Sequence, residues 1–210
     1  PKRSAEICEK IFNNAIANGV GKSDGALYGA YVAGLCHAGD VMRAWAAFRR
    51  MRERVPISEQ SAEPFNALLF LVSRQKHWSH TLRSPRVWAL WSELIRSGVD
   101  PDAESYEALA LHCSTRGEAE RCFGLLDEMK TFNCRPTSRF FSLLLRSVSR
   151  TPQFVPENAQ MLRQALEQMQ AAEVLPDAGV FAAAIHAAGA CGDVAAAEAI
   201  YGAASLYGVK

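Results

Sequence analysis

Apolar residues in this chain return in two interleaved helical stripes, and their spacing builds a unit of 35 residues that extra residues lengthen at one point in two of the repeats. Five segments place apolar side chains at i, i+3, i+4 and i+7, the face of an amphipathic helix. They are Tyr28/Tyr31/Val32/Leu35, Phe65/Leu68/Leu69/Val72, Tyr106/Leu109/Ala110/Cys113, Phe141/Leu144/Leu145/Val148 and Phe181/Ala184/Ile185/Ala188. Each opens on an aromatic ring, and these are the A helices. The second series, the B helices, is Cys8/Ile11/Phe12/Ala15, Ala44/Trp45/Phe48/Met51, Val87/Leu90/Trp91/Leu94, Cys122/Leu125/Leu126/Met129, Leu162/Ala165/Leu166/Met169 and Ala197/Ile200/Tyr201/Ala204. Their bulky anchors are Phe12, Phe48, Trp91, Leu126, Leu166 and Tyr201.

Register decides the architecture. From A anchor to B anchor the step is 20 residues for 28→48, 106→126 and 181→201, but 26 for 65→91 and 25 for 141→166. From B anchor to the next A anchor it is 16, 17, 15, 15 and 15. A single hairpin cannot bury its apolar faces, whereas hairpins stacked in a row bury them against one another. The spacing therefore predicts an all-α fold, a right-handed solenoid superhelix of stacked helical hairpins. One array is expected over 1–210: half a repeat at 1–24, full repeats at 25–61, 62–102, 103–137 and 138–177, and a truncated last repeat at 178–210. The first B helix lacks a partner in this scheme, so further repeats or another molecule are expected to cover it.

Punctuation follows the same period. Gly39, Gly117 and Gly192 fall at one point between A and B, where a left-handed helix end favours glycine. Gly19, Gly98 and Gly208 follow B helices. Pro101, Pro136 and Pro176 close their units, and Asp102, Thr137 and Asp177 come next as candidate N-caps of the following A helix. The extra residues near 77–86 and 151–160 carry Ser-Pro, Thr-Pro and Val-Pro steps and read as longer A–B loops.

A 35-residue unit of the form Tyr-x-x-Leu…Gly…Ala…Phe-x-x-Met…Gly-x-x-Pro-Asp resembles the pentatricopeptide repeat. The stretch Tyr28 to Met51 and the unit Ala103 to Thr137 carry the likeness most fully. The 34-residue tetratricopeptide unit fits less well, because its Trp/Leu-Gly/Tyr signature is missing and the period is one residue too long. The resemblance implies single-stranded RNA bound along a concave groove lined by A helices, roughly one base per repeat, and residence in mitochondria or plastids. It also implies that the base is chosen by the residue after the A-helix aromatic ring together with the last residue of the repeat. Here those pairs are Gly29 with Ser61, Asn66 with Asp102, Glu107 with Thr137, and Ser142 with Asp177, while Ala182 lacks its partner. Asn66 with Asp102 resembles a uracil-preferring pair and Ser142 with Asp177 a guanine-preferring one. Both Asp residues are equally read as helix caps.

Departures from the family pattern weaken the groove. The second position of the repeat, usually aliphatic in the family, is Ala26, Glu63, Glu104, Arg139 and Gly179, so stacking surface is scarce and the acids repel phosphate. Late in the A helix, where members often place a basic residue, stand Arg74 and Arg150, with His37 weaker and Thr115 and Ala190 neutral. Lys76, His77, His80, Arg83 and Arg86 extend positive charge through the first insertion. The densest cluster, Arg43, Arg49, Arg50, Arg52 and Arg54, sits on a B helix whose Phe48 and Met51 face inward, which turns part of it outward. Forked guanidinium donors suit phosphate; a solvated face paired with Glu53 is the alternative. The expectation is docking on structured RNA, or within a ribonucleoprotein, by the outer face and the inserts.

Composition bounds the rest. The chain has 210 residues, 49% hydrophobic and 21% charged, with 23 Lys and Arg against 22 Asp and Glu for a formal charge of +1, too even for a wholly basic nucleic-acid glove. No apolar run approaches the ~18 residues that span a bilayer, and no membrane partner is expected. Cys8, Cys36, Cys113, Cys122, Cys134 and Cys191 form no CxxC pair and read as small core hydrophobes. The run GVGKS at residues 19–23 resembles the end of a phosphate-binding loop, but Ile16 stands where that loop needs glycine and a helix precedes it. His37, His77, His80, His112 and His186 form no HExxH, and there is no deaminase-like HxE…CxxC signature. No enzyme, nucleotide, metal or cofactor is expected. The chain opens on Pro rather than Met, which suggests a processed or partial product. The resulting expectation is a mitochondrial structural or assembly component of a ribosome, with ribosomal RNA ahead of messenger RNA and ribosomal or other ribonucleoprotein proteins as partners. A transcript-binding factor and a protein scaffold are the alternatives.

Overall fold

The computed structural model describes residues 2–19, 24–75, 80–151 and 155–206. Among them are eleven α-helices, one 3-10 turn at Ile57–Glu59 and no strand. The helices are α1 (Lys2–Ala17), α2 (Gly25–His37), α3 (Val41–Arg54), α4 (Glu63–Ser73), α5 (His80–Arg96), α6 (Ala103–Arg116), α7 (Ala119–Thr131), α8 (Ser138–Val148), α9 (Val155–Ala171), α10 (Ala178–Ala190) and α11 (Val194–Leu206). Even numbers are the A series and odd numbers the B series. The chain divides into two compact units, Pro1–Ala108 and Leu109–Lys210. In the first, α2 packs on α1, α3 and α4, and α4 packs on α3 and α5; in the second, α8 packs on α7, α9 and α10, and α10 on α9 and α11. Each of these A helices thus touches its own B helix, the B helix before it and a neighbouring A helix, as a stacked hairpin array requires.

The A anchors Tyr28, Phe65, Tyr106, Phe141 and Phe181 are all buried. In the first unit each meets the preceding B anchor edge-on: Phe12–Tyr28 at 4.9 Å, Phe48–Phe65 at 4.9 Å and Trp91–Tyr106 at 5.1 Å between ring centroids. Such edge contacts add about 0.5–1.5 kcal/mol to the burial of the rings themselves. Leu126 and Leu166 hold the corresponding places in the second unit; Leu126 is buried and Leu166 half-buried. Two members of the B stripe depart from expectation. Tyr201 is 68% exposed and Ile11 63% exposed. Tyr201 shares α11 with buried Ala204, and Ile11 shares α1 with buried Ala5 and Phe12, yet neither is covered by a described element. Periodicity marks an apolar stripe; only a neighbouring element makes it a core.

Helix starts are fixed by side-chain caps. Asp24, Asp40, Asp102, Thr137, Asp177 and Asp193 each accept the backbone N–H three residues on, at 2.9–3.1 Å. An exposed cap of this kind contributes about 1 kcal/mol. At the other end of the B helices, seven residues past the anchor, Gly19, Gly98, Asn133 and Glu173 all take positive φ (82°, 73°, 51° and 55°). The turn geometry is therefore periodic even where glycine is not, and Asn and Glu bear the strain.

The insertions are not loops as the Pro steps suggested. Their described parts extend B helices at the N-terminus, giving α5 and α9 17 residues each. Pro156 is the second residue of α9, where no intrahelical donor is needed. Pro85 sits inside α5 and removes one ladder bond, yet the helix continues. Buried Arg83 ties this segment to the end of α4 by donating to the Ser73 carbonyl at 3.4 Å. In the second insertion buried Asn158 donates to the Thr151 carbonyl at 3.2 Å. Residues 1, 20–23, 76–79, 152–154 and 207–210 lie outside the described residues, Lys76, His77 and Gly208 among them, as does the side chain of His80.

Gly117 shows how tightly the A–B corner is held. Its φ is +69°, and a Cβ there would stand 2.3 Å from the Arg150 carbonyl oxygen, whereas at Gly39 (φ +74°) it would meet nothing within 4 Å. Gly39→Ala is expected to cost about 1–2 kcal/mol through φ alone. Gly117→Ala should cost clearly more, because backbone must also move. Urea denaturation of both variants checks this, and equal midpoints would contradict the packing described.

Candidate nucleic-acid interface

The A-helix face of the first unit contains one tightly bonded polar cluster. Asn66, one residue past the Phe65 anchor on α4, is only 2% exposed. Its Nδ2 donates to Asp102 Oδ1 at 2.9 Å, and its Oδ1 accepts from Ser105 Oγ at 2.6 Å. Ser105 N also donates to Asp102 Oδ1 at 2.9 Å, while Asp102 N donates back to Ser105 Oγ at 3.2 Å. This is a reciprocal capping box at the start of α6 with Asn66 clipped into it from the preceding repeat. The proposed pair of Asn66 and Asp102 is therefore brought together, and Asp102 both caps a helix and fixes the amide. Asp102 itself is exposed.

The second unit builds its pair differently. Ser142 Oγ donates to the Gly179 carbonyl at 3.4 Å, and Asp177 accepts from Ser138 Oγ at 2.7 Å through its other oxygen while capping Val180. A Cβ on Gly179 would stand 3.1 Å from Asp177 Oδ1 and 3.6 Å from Ser142 Oγ, so both side chains border one small opening over that glycine. Hydrogen bonds from Ser138 and from the backbone N–H groups of Val180 and Gly179 hold the Asp177 carboxyl below its ordinary range, against the opposing effect of burial. The cap therefore stays charged at neutral pH and is lost only as acid titrates it.

The remaining base-reading candidates offer less. Gly29 is buried beside Glu63 and Pro64 of α4, and Ser61 is exposed just before that helix. Glu107 is buried on α6, Thr137 caps α8 and Ala182 is exposed on α10. The second positions Ala26, Glu63, Glu104, Arg139 and Gly179 are all exposed, and so are His37, Arg74, Thr115, Arg150 and Ala190 late in the A helices. Arg150 spends part of its guanidinium on the Ser114 carbonyl at 3.1 Å. His112 is buried and His186 exposed.

On α3 the five arginines divide. Arg52 pairs with Glu93 at 3.3 Å, donates to Gln60 and lies 5.6 Å over the Phe65 ring. Arg43 pairs with Glu9 at 3.7 Å and Asp40 at 3.6 Å. Arg49, Arg50 and Arg54 are exposed and make no ion pair among the described residues, Glu53 included. The six cysteines are free thiols. Burial pushes Cys36 up to about 12, and a hydrogen bond with Cys122 together with burial raises Cys113, so neither is a thiolate near neutrality. Among the described residues no group of three or more His, Cys, Asp or Glu is placed to hold a metal ion, and no helix is long and apolar enough to cross a membrane.

A family model described as the pentacotripeptide-repeat region of PRORP matches residues 27–153. The chain belongs to this pentatricopeptide-repeat family. Solved structures agree in fold. The PPR domain of Arabidopsis thaliana protein-only RNase P 1, determined with tRNA, is 19% identical with a TM-score of 0.70 over 88% of this chain and 91% of that one. Nuclear proteinaceous RNase P 2 of A. thaliana is 16% identical with a TM-score of 0.66, over 87% of this chain but 38% of that one. The pentatricopeptide repeat protein PPR10, in complex with an 18-nt psaJ RNA element, is 21% identical with a TM-score of 0.62, over 87% of this chain and 28% of that one. No curated protein matches the sequence.

The family resemblance points to the base-reading pairs; Ser105 and Ser138, which hydrogen-bond to members of those pairs, lie outside its pattern. Ser105 left a signal in the Asp-x-x-Ser pattern of a capping box. Its bond to Asn66, 39 residues away, leaves none in local sequence. Ser105→Ala strands the buried Asn66 Oδ1 and is expected to cost about 1–3 kcal/mol. Ser138→Ala removes an exposed bond and should cost under about 0.5 kcal/mol. Chemical denaturation of the two variants measures the difference.

Proposed function

We propose that the chain is a noncatalytic RNA-binding pentatricopeptide-repeat protein, a structural or assembly component of a mitochondrial ribosome that holds ribosomal RNA and neighbouring proteins. The observation that carries RNA binding is the fold shared, over most of both chains, with a PPR domain solved on tRNA, itself a structured RNA. A structural role rather than the reading of a long sequence is supported by the residues at the base-reading positions of the A helices. Asn66 is enclosed and bonded at both ends of its amide, Gly29 and Ala182 carry no polar group, and Glu63 and Glu104 stand exposed where bases would stack. Mitochondrial residence and ribosomal partners rest on the family resemblance. Arg74 and Arg150, at the ends of A helices, are the proposed phosphate contacts; Lys76 is proposed from sequence only.

One observation favours a second reading, a factor that binds a particular mitochondrial transcript. Asn66 and Asp102 are hydrogen-bonded to each other, and Ser142 and Asp177 border one opening, as base-reading pairs would. Sedimentation separates the readings. The tagged protein is expected to travel with ribosomal particles and to crosslink to ribosomal RNA. Recovery away from ribosomes, crosslinked to one messenger, would replace the first reading by the second. The absence of any RNA crosslink would remove both and leave a protein scaffold.

A further inference from the structure

Charge in the first unit is divided between its two helix series. Exposed on the A helices and their caps are Glu63, Glu104 and Asp102, with Arg74 as a cation at the end of α4. On α3, Glu53 is the one acid among five arginines. Arg52 is half-buried in an ion pair with Glu93, and the exposed Arg43 faces Glu9 and Asp40 at 3.6–3.7 Å. Arg49, Arg50 and Arg54 remain exposed and outside the ion pairs of the described residues.

We propose that this exposed side of α3 is a docking surface for the sugar-phosphate backbone of folded RNA, separate from the A-helix groove. The proposal rests on the RNA-binding reading and adds where the RNA sits. Three physical points carry it. A guanidinium is weakly hydrated and offers a rigid fork that matches phosphate, so Arg50 and Arg54 on one face of α3, flanked by Arg49 about 100° around the helix beyond Glu53, form a phosphate surface in a way that lysines would not. Arg50 and Arg54 are one turn apart, about 6 Å along the axis, which lets both engage one strand. On the A side, by contrast, each exposed carboxylate near a phosphate opposes binding, by about 1 kcal/mol at 4 Å even in water.

An acidic protein is the competing occupant, and the surface lacks what a protein partner needs. Protein interfaces build around a desolvated apolar centre. Beside the arginines the exposed apolar residues are Met42 on α3 and Ile57 in the following turn, at opposite ends of the helix. Neither forms a patch with the other.

The experiment titrates a mixed-sequence RNA hairpin with the 210-residue chain at several salt concentrations. Each phosphate contact contributes about 0.9 to the slope of log K against log salt. Arg49→Glu/Arg50→Glu/Arg54→Glu is expected to lower affinity at least ~10-fold at moderate salt and to flatten the slope by about 2–3. Arg54 also complements the C-terminal dipole of α3, so Arg49→Glu/Arg50→Glu, which spares it, should flatten the slope by about 2 with the helical circular dichroism unchanged. Arg135→Glu/Arg163→Glu makes the same change in net charge as the double variant, at exposed positions away from α3 and from any helix C-terminus, and should leave the slope nearly intact. Wild-type-like binding by the α3 variants, or an equal loss in the control, overturns the proposal while RNA binding itself stands. Binding of poly-glutamate in place of RNA at this face also overturns it. A wild-type chain that binds no RNA overturns the RNA-binding reading together with this one.

Discussion

The structure depends on a contact between consecutive repeats: the anchor of each B helix set against the aromatic anchor of the next A helix. In Phe12–Tyr28, Phe48–Phe65 and Trp91–Tyr106 the two rings meet edge-on at close to 5 Å, though the ring types differ each time. This contact ties hairpin to hairpin, because it crosses the turn between repeats rather than closing a hairpin on itself. Its constancy explains why the B-to-A step varies by only two residues while the A-to-B step absorbs insertions. Extra chain between A and B lengthens a helix at its free end. Extra chain between B and A would pull the anchors out of register.

Around that contact, polar groups set direction. Six N-caps and a left-handed residue after several B helices fix where each helix starts and how the chain leaves it. The cap at Asp102 is also the clip that holds Asn66, so one carboxylate serves local helix initiation and inter-repeat cohesion together. This double use makes a residue at a base-reading position hard to read from sequence. Asn66 and Asp102 carry the residue types of a recognition pair, and in the folded chain they are also a satisfied, enclosed structural network.

Charge follows the same division of labour. The periodic pattern says which residues of α3 face the core, and from it the outward direction of some arginines was legible. Which of the five are available was not. Arg52 is drawn inward by Glu93, Gln60 and the Phe65 face, while Arg43 stays exposed but pairs with Glu9 of α1 as well as with its own helix cap Asp40. Tyr201 and Ile11 make the matching point for apolar residues, since both fit the stripe and neither is covered.

Sequence by itself determined the all-α class, the 35-residue unit, the A and B series, every anchor but the exposed Tyr201, and the caps Asp102, Thr137 and Asp177. Each of these depends on residues within one or two turns, or on a spacing that one-dimensional stacking repeats. Tertiary structure alone decided that the insertions extend α5 and α9 instead of looping out, that Ser105 locks Asn66, and that Arg49, Arg50 and Arg54 are the exposed cations of α3 outside the ion pairs of the described residues. Those outcomes depend on partners a full repeat away, where a hydrogen bond or ion pair is settled by the distance between two elements and not by the order of residues in either.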